Sequence, residues 1–291
     1  MNIAVLVIYN HRYDENIPRI EKLYKDRFSN IYHVVPFYTG NVPNVIPVYE
    51  SSLYFEGYIS QAYVSLKNKN YSHFLMVADD IIINPLINER NFLDIIGMNQ
   101  YECFIPGYIP SGYCWPHFYD MITYKMDGNG AEIKKVMPTY EEAFSVINRL
   151  ELGYTEIRKE QLPIKWTMRR RFKNLLKKES IKKVNKLCYP LVGSYSDICV
   201  VTADAMELFC LYCGCFSATK LFVEIAIPTA LHLTGASVKY LKDIKLNKDI
   251  TMWDNDDFKW LSNYNNNLQT LLDNYPSDVF YIHPIKLSKW K

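Results

Sequence analysis

The chain is expected to adopt an α/β fold, a mixed and mainly parallel sheet flanked by helices, and three observations carry that expectation. Apolar runs of strand length alternate with helically spaced apolar residues through the first ninety positions, which implies parallel crossovers. One of these runs, His73-Phe-Leu-Met-Val-Ala, stops abruptly at two adjacent carboxylates, Asp79 and Asp80, as buried strands do where an open sheet receives a ligand. With 49% hydrophobic and 22% charged residues over 291 positions, the chain can bury a sizeable core as one large domain.

Ile3 to Ile8 is six apolar residues in succession and reads as the first strand. Ile17, Ile20, Leu23, Tyr24 and Phe28 recur at helical spacing, and Ile31 to Tyr38 is the second strand. Pro43 and Pro47 punctuate a loop, a helix is expected from about Ser51 to Leu66, and Phe74 to Val77 is the strand that delivers the aspartates. From Tyr101 to Tyr154 the chain is rich in aromatics, Gly and Pro, as in Phe104-Ile-Pro-Gly-Tyr-Ile-Pro-Ser-Gly-Tyr-Cys-Trp-Pro-His117, and reads as loops and short strands framing a pocket. Gly193 to Val201 reads as a loop entering a strand, Ala203 to Phe216 as a helix, and Leu221 to Leu233 as a second apolar segment in which Pro228 limits how far a helix runs unkinked. A helix around Leu268 to Leu272 and a strand from Val279 to Ile282 lead into the tail His283-Pro-Ile-Lys-Leu-Ser-Lys-Trp-Lys291.

Several function classes are disfavoured. The opening MNIAVLVIYN has no basic flank and reads as a strand, not a signal peptide, while Lys220, Glu224 and Pro228 interrupt the most apolar longer region, Leu208 to Leu233. The expected location is therefore cytoplasmic, peripheral on the inner face of the membrane if the basic segment docks there. Seven cysteines, an odd number, lack metal spacing apart from Cys210-Leu-Tyr-Cys213-Gly-Cys215, which has no second pair to complete a zinc site; they read as packing. No G-x-G-x-x-G follows the first strand and no Walker A sequence occurs, so a dinucleotide site and a P-loop are both disfavoured.

The residues that remain have chemistry to offer. Adjacent carboxylates repel and resist desolvation unless a cation or protons compensate, so Asp79 and Asp80 suit an oxygen-preferring divalent ion, or else a solvated turn into Asn84-Pro85. Glu224, a lone acid in Leu-Phe-Val-Glu-Ile-Ala-Ile-Pro, either faces solvent or is buried with a raised pKa, as a general base requires. Between Arg158 and Lys186, twelve Lys or Arg against two Glu give +10, which leaves −8 for the rest of a chain whose total is +2. Such a block is a solvated helix face, or it attracts an anionic membrane surface or a phosphorylated acceptor. The acidity of the remainder and the lack of a recognition module argue against nucleic acid.

On these residues the chain resembles the GT-A fold of nucleotide-sugar glycosyltransferases, in which an N-terminal α/β half binds the nucleotide, an acidic motif ends the fourth strand and a variable half holds the acceptor. Val77-Ala-Asp-Asp80 stands where that motif would, with Ala78 at its first acidic position. The resemblance implies a single domain over 1–291, with 1–100 as the nucleotide-sugar half and 101–291 as the acceptor half. It implies a divalent metal, Mn2+ or Mg2+, held by Asp80 and by His283 of the tail, with Asp79 turned to ribose or water and Lys286, Lys289 and Trp290 near the diphosphate. Tyr9 and Asn10, at the end of the first strand, are expected under the nucleotide. The outline of Tyr195-Ser-Asp197 and Phe222-Val-Glu224 is similar to bacterial cell-surface polysaccharide and lipopolysaccharide transferases.

The implied activity is transfer of a sugar from a nucleotide-sugar donor to a glycan or lipid-linked acceptor. Negative charge grows on the leaving diphosphate, which a cation and lysines neutralise. The acceptor hydroxyl loses a proton to a carboxylate, Glu224 first and Asp197 second. Two other classes compete: a sugar-nucleotide nucleotidyltransferase, whose usual glycine-rich loop is missing from Tyr9-Asn-His-Arg12, and a non-catalytic glycan- or membrane-surface-binding protein.

Overall fold

The computed structural model describes residues 1–109, 115, 117, 120–121, 124–126, 130–150, 187–251 and 255–291. The basic segment 158–186 lies outside the described residues. The fold is α/β. A seven-stranded sheet has the order β3-β2-β1-β4-β7-β6-β8, built from β1 (Ile3–Ile8), β2 (Asn30–Pro36), β3 (Val45–Val48), β4 (His73–Ala78), β6 (Glu102–Phe104), β7 (Ile198–Thr202) and β8 (Ser237–Lys239). All its strands are parallel except β7, which runs antiparallel to both β4 and β6. A three-stranded sheet, β5-β10-β9, pairs β10 (Val279–His283) antiparallel with β5 (Ile82–Ile83) and parallel with β9 (Lys248–Thr251).

The continuous apolar run of β1 is explained by burial on both faces. Ala4, Leu6 and Ile8 face one core, under α2 (Glu56–Val64), α6 (Ala203–Ala218) and α7 (Val223–Leu233). Ile3, Val5 and Val7 face the other, which contains α1 (Ile17–Tyr24), α3 (Phe92–Ile96), the small sheet, α8 (Asn255–Ser262) and α9 (Leu268–Asp273). The cysteines of α6, Cys210, Cys213 and Cys215, are buried and unbridged, as their packing role requires. No helix among the described residues is long and apolar enough to cross a membrane.

Two local expectations are corrected, and a third is refined. Pro47 is in a strand, because β3 is the edge of the sheet and needs no donor on its outer side. That edge strand makes the aspartate-bearing strand the fourth. The region after Tyr101 contains two further helices, α4 (Ala131–Val136) and α5 (Tyr140–Ile147). Thr139 and Glu142 close a capping box at the start of α5, a signal legible in Thr-Tyr-Glu-Glu. Finally, α7 runs through Pro228 without ending. The missing amide leaves the Glu224 carbonyl four residues earlier without its helical donor, and the Ser194 amide fills the gap at 2.9 Å.

Candidate active site

Four segments distant in sequence meet where the parallel strands end. Asp79 and Asp80 turn the chain out of β4, held by the Asp79 amide on the Ile8 carbonyl (3.0 Å) and the Ile81 amide on the Ala78 carbonyl (3.1 Å). Asp197 precedes β7, and because β7 is antiparallel its first residues lie beside the last of β4: the Ala78 amide donates to the Asp197 carbonyl at 2.7 Å. His283 ends β10. That strand pairs with β5, Ile282 opposite Ile82, and β5 begins two residues after Asp80, so the tail is drawn onto the acid pair. The Ile285 amide seals the junction by donating to the Asp80 carbonyl at 2.6 Å. Glu224 comes from the first turn of α7, positioned through its carbonyl by Ser194.

The side chains form a coupled acidic cluster around one imidazole. His283 Nε2 is 3.4 Å from Asp80 Oδ1 and 4.0 Å from Asp197 Oδ2. Burial alone would lower the His283 pKa, but its contact with Asp80 and the charges of Asp197, Asp80 and Glu224 outweigh that and raise it. Burial raises the Asp197 pKa, reinforced by Asp80 and opposed by His283. Glu224 is pushed up to about 7, by burial first and then by Asp197; His117, a hydrogen bond from the Trp115 side chain and His283 pull the other way. A carboxyl that changes protonation near neutrality is suited to accept a proton.

Asp80 Oδ1 is buried and makes no well-formed hydrogen bond, its nearest donor being the imidazole at 3.4 Å. Among the described residues no three His, Cys, Asp or Glu side chains converge closely enough to form a metal centre alone. The pair Asp80 and His283 offers one carboxylate oxygen and one ring nitrogen, a donor set that suits an ion completing its shell with phosphate oxygens and water.

The other expected residues take different positions. Asp79 turns away from His283 towards the start of α1, where Asn16 Nδ2 donates to its Oδ2 at 3.0 Å. Its pKa is pushed up to about 6, chiefly by burial and then by Asp80, against the Asn16 hydrogen bond. Tyr9 is wholly buried, and its hydroxyl is 2.8 Å from His33 Nδ1; His33 Nε2 in turn is 2.8 Å from Glu21 Oε1. It therefore supports the floor of the site from within the core and offers no ring face. Asn10, half-buried, is the residue of that pair at the rim. Lys286 and Lys289 are exposed and line a groove of about 360 Å³ with Phe258, Leu261, Pro284 and Trp290.

Residues not singled out from the sequence complete the picture. Trp115 packs over Gly193, where a Cβ would fall 2.9 Å from its ring. The His117 imidazole stacks on Phe222 with centroids 3.6 Å apart, and its Nδ1 is 2.9 Å from Asp120 Oδ2. The His-x-x-Asp spacing was present to be read, but nothing local ties it to Glu224. Asp249, accepting from the Tyr281 hydroxyl at 2.7 Å, lines a cavity of about 50 Å³ with Asp197 and His283. No protein-family model, curated protein or solved structure matches the chain.

Proposed function

We propose that the protein is a GT-A-like glycosyltransferase that moves a sugar from a nucleotide-sugar donor to a glycan or lipid-linked acceptor in bacterial surface polysaccharide synthesis, with divalent-metal assistance. The observation that carries this reading is the convergence of Asp80, Asp197, Glu224 and His283 at the end of the fourth strand of a mainly parallel sheet. Ligands of open α/β sheets bind at such an edge.

In this reading Asp80 and His283 would hold the ion, which would supply neutralising charge at the departing diphosphate. Asn10 and Asp79 border the nucleoside side of the cleft, and Lys286 and Lys289 add positive charge from the tail. Glu224 receives the proton of the acceptor hydroxyl in an inverting reaction; in a retaining one the same carboxylate stabilises the sugar cation. Asp197, between His283 and Glu224 electrostatically, keeps the Glu224 proton affinity high and is the alternative base.

A thermal-shift screen of UDP, GDP, CMP and dTDP sugars with and without manganese tests this. A ligand at a hundred times its dissociation constant adds about 2.7 kcal/mol to the native state. Stabilisation by one nucleotide class, dependent on manganese and absent in Asp80→Asn, is expected. A flat response to all four nucleotides removes the support.

A further inference from the structure

The acidic cluster is bordered on the Glu224 side by an aromatic wall that the donor chemistry does not use. Its members are Trp115, His117 and Phe222, with the His117 ring parallel to Phe222 within 9° and the Trp115 ring tilted against both. The wall is braced. Asp120 fixes the imidazole through Nδ1, Phe222 backs it, and Trp115 is seated in the groove left by Gly193. Trp115 also donates a hydrogen bond to the Glu224 side chain, so wall and carboxylate are one unit. The His117 side chain is 37% exposed and Phe222 is partly buried, so the stacked pair is reached by solvent.

The charge on this side selects among acceptors. Asp80 and Asp197 face the His283 imidazole, and among the described residues no lysine or arginine forms an ion pair with Glu224, Asp197 or Asp80. A phosphate brought here would meet three carboxylates, with no guanidinium or ammonium of the described residues paired to them. The aliphatic C–H face of a pyranose, by contrast, meets the electron-rich face of an aromatic ring while its hydroxyls reach the neighbouring carboxylate.

We propose that His117, backed by Phe222 and flanked by Trp115, is the stacking platform for an uncharged pyranose ring of the acceptor, which presents a sugar hydroxyl, not a phosphate, to Glu224. The assignment of the bound sugar as acceptor rests on the glycosyltransferase reading; the binding itself does not.

The test is saturation-transfer NMR on the full chain, without nucleotide or metal. The probes are a panel of α- and β-methyl glycosides of hexoses, N-acetylhexosamines and 6-deoxyhexoses, and separately a short-chain prenyl phosphate in detergent micelles. At least one uncharged glycoside is expected to receive saturation through ring C–H protons. His117→Ala, at a half-exposed position, should weaken that binding about tenfold. Phe222→Leu should weaken it as well. No bound glycoside, equal binding by His117→Ala, or His117-dependent binding of the prenyl phosphate overturns the proposal. Loss of the nucleotide response with glycoside binding intact would instead remove the transferase reading and leave the platform standing.

Discussion

Replacing Glu224 with Gln separates the electrostatics of the site from its chemistry, because the two make different numerical predictions. Burial and Asp197 raise this carboxyl from 4.5 to about 7. In the unfolded chain it ionises near its ordinary value, so the folded state binds the proton more tightly between those limits. A group of this kind stabilises the fold fully below its unfolded pKa and loses that contribution as pH rises through the folded value. At about 1.4 kcal/mol per pKa unit, the loss is about 3 kcal/mol for Glu224. Gln keeps the shape and carries no charge at any pH, so the stability of Glu224→Gln relative to the parent should rise by about 3 kcal/mol from pH 4 to pH 8. Urea unfolding of both proteins across that range measures it, with the parent declining through the window and the variant lacking that component. The same substitution should lower turnover by roughly two to four orders of magnitude while donor affinity is retained, and the parent rate should climb with pH through about 7 as the carboxylate forms. Parallel stability profiles would refute the claim that the cluster holds Glu224 protonated. A fully active Gln variant would move the base to Asp197.

Other outcomes follow from the same geometry. Asp80→Asn and His283→Ala, at side chains 3.4 Å apart, should each cut manganese-dependent nucleotide affinity strongly and be non-additive; additive losses, or activity that persists in EDTA, would make His283 structural. Glu56 is wholly buried with neither carboxylate oxygen hydrogen-bonded, and burial followed by the charge of Glu50 raises its pKa well above the usual range. Glu56→Met should therefore stabilise the fold by roughly 1–3 kcal/mol, more at pH 9 than at pH 6, in urea titrations, and a destabilised variant would refute the reading. Replacing Arg169, Arg170 and Arg171 with Gln, in the basic segment outside the described residues, should weaken salt-sensitive binding to acidic liposomes and spare donor hydrolysis. Collapse of donor hydrolysis would instead assign these arginines to the diphosphate.

What the sequence discloses about this site depends on the range of the interaction that decides each part. Burial on both faces writes itself locally as an unbroken apolar run, so β1 and β4 are legible, and so is the acid pair where β4 stops. The direction of β7 is not. Its five residues are equally apolar read either way, and only pairing with β4 puts Asp197 at the right edge. The same holds for β5, two residues long, whose pairing with β10 brings His283 across some two hundred positions. Tyr9 shows the opposite case: it does follow the first strand, but whether its ring points into the cleft or the core is settled by His33 on the neighbouring strand.

Pro228 shows how a local rule can mark the site. Proline removes one amide from a helix and leaves one carbonyl without its donor, which ordinarily ends or bends the helix. Here that carbonyl belongs to Glu224, and the Ser194 amide takes it at 2.9 Å while Thr229, one residue beyond the proline, accepts from the Val192 amide at 3.0 Å. The loop that leads to Asp197 is thereby stitched to the helix that carries Glu224. The Ser194 amide, three residues before Asp197, thus ties that loop to the turn that carries Glu224. An apolar helix with an unbroken ladder would have no such demand for the 192–194 backbone, and the acid on its first turn would lose one of the ties that set its distance from Asp197. The proline expected to limit how far the helix runs unkinked is thus one of the residues that position the proposed base.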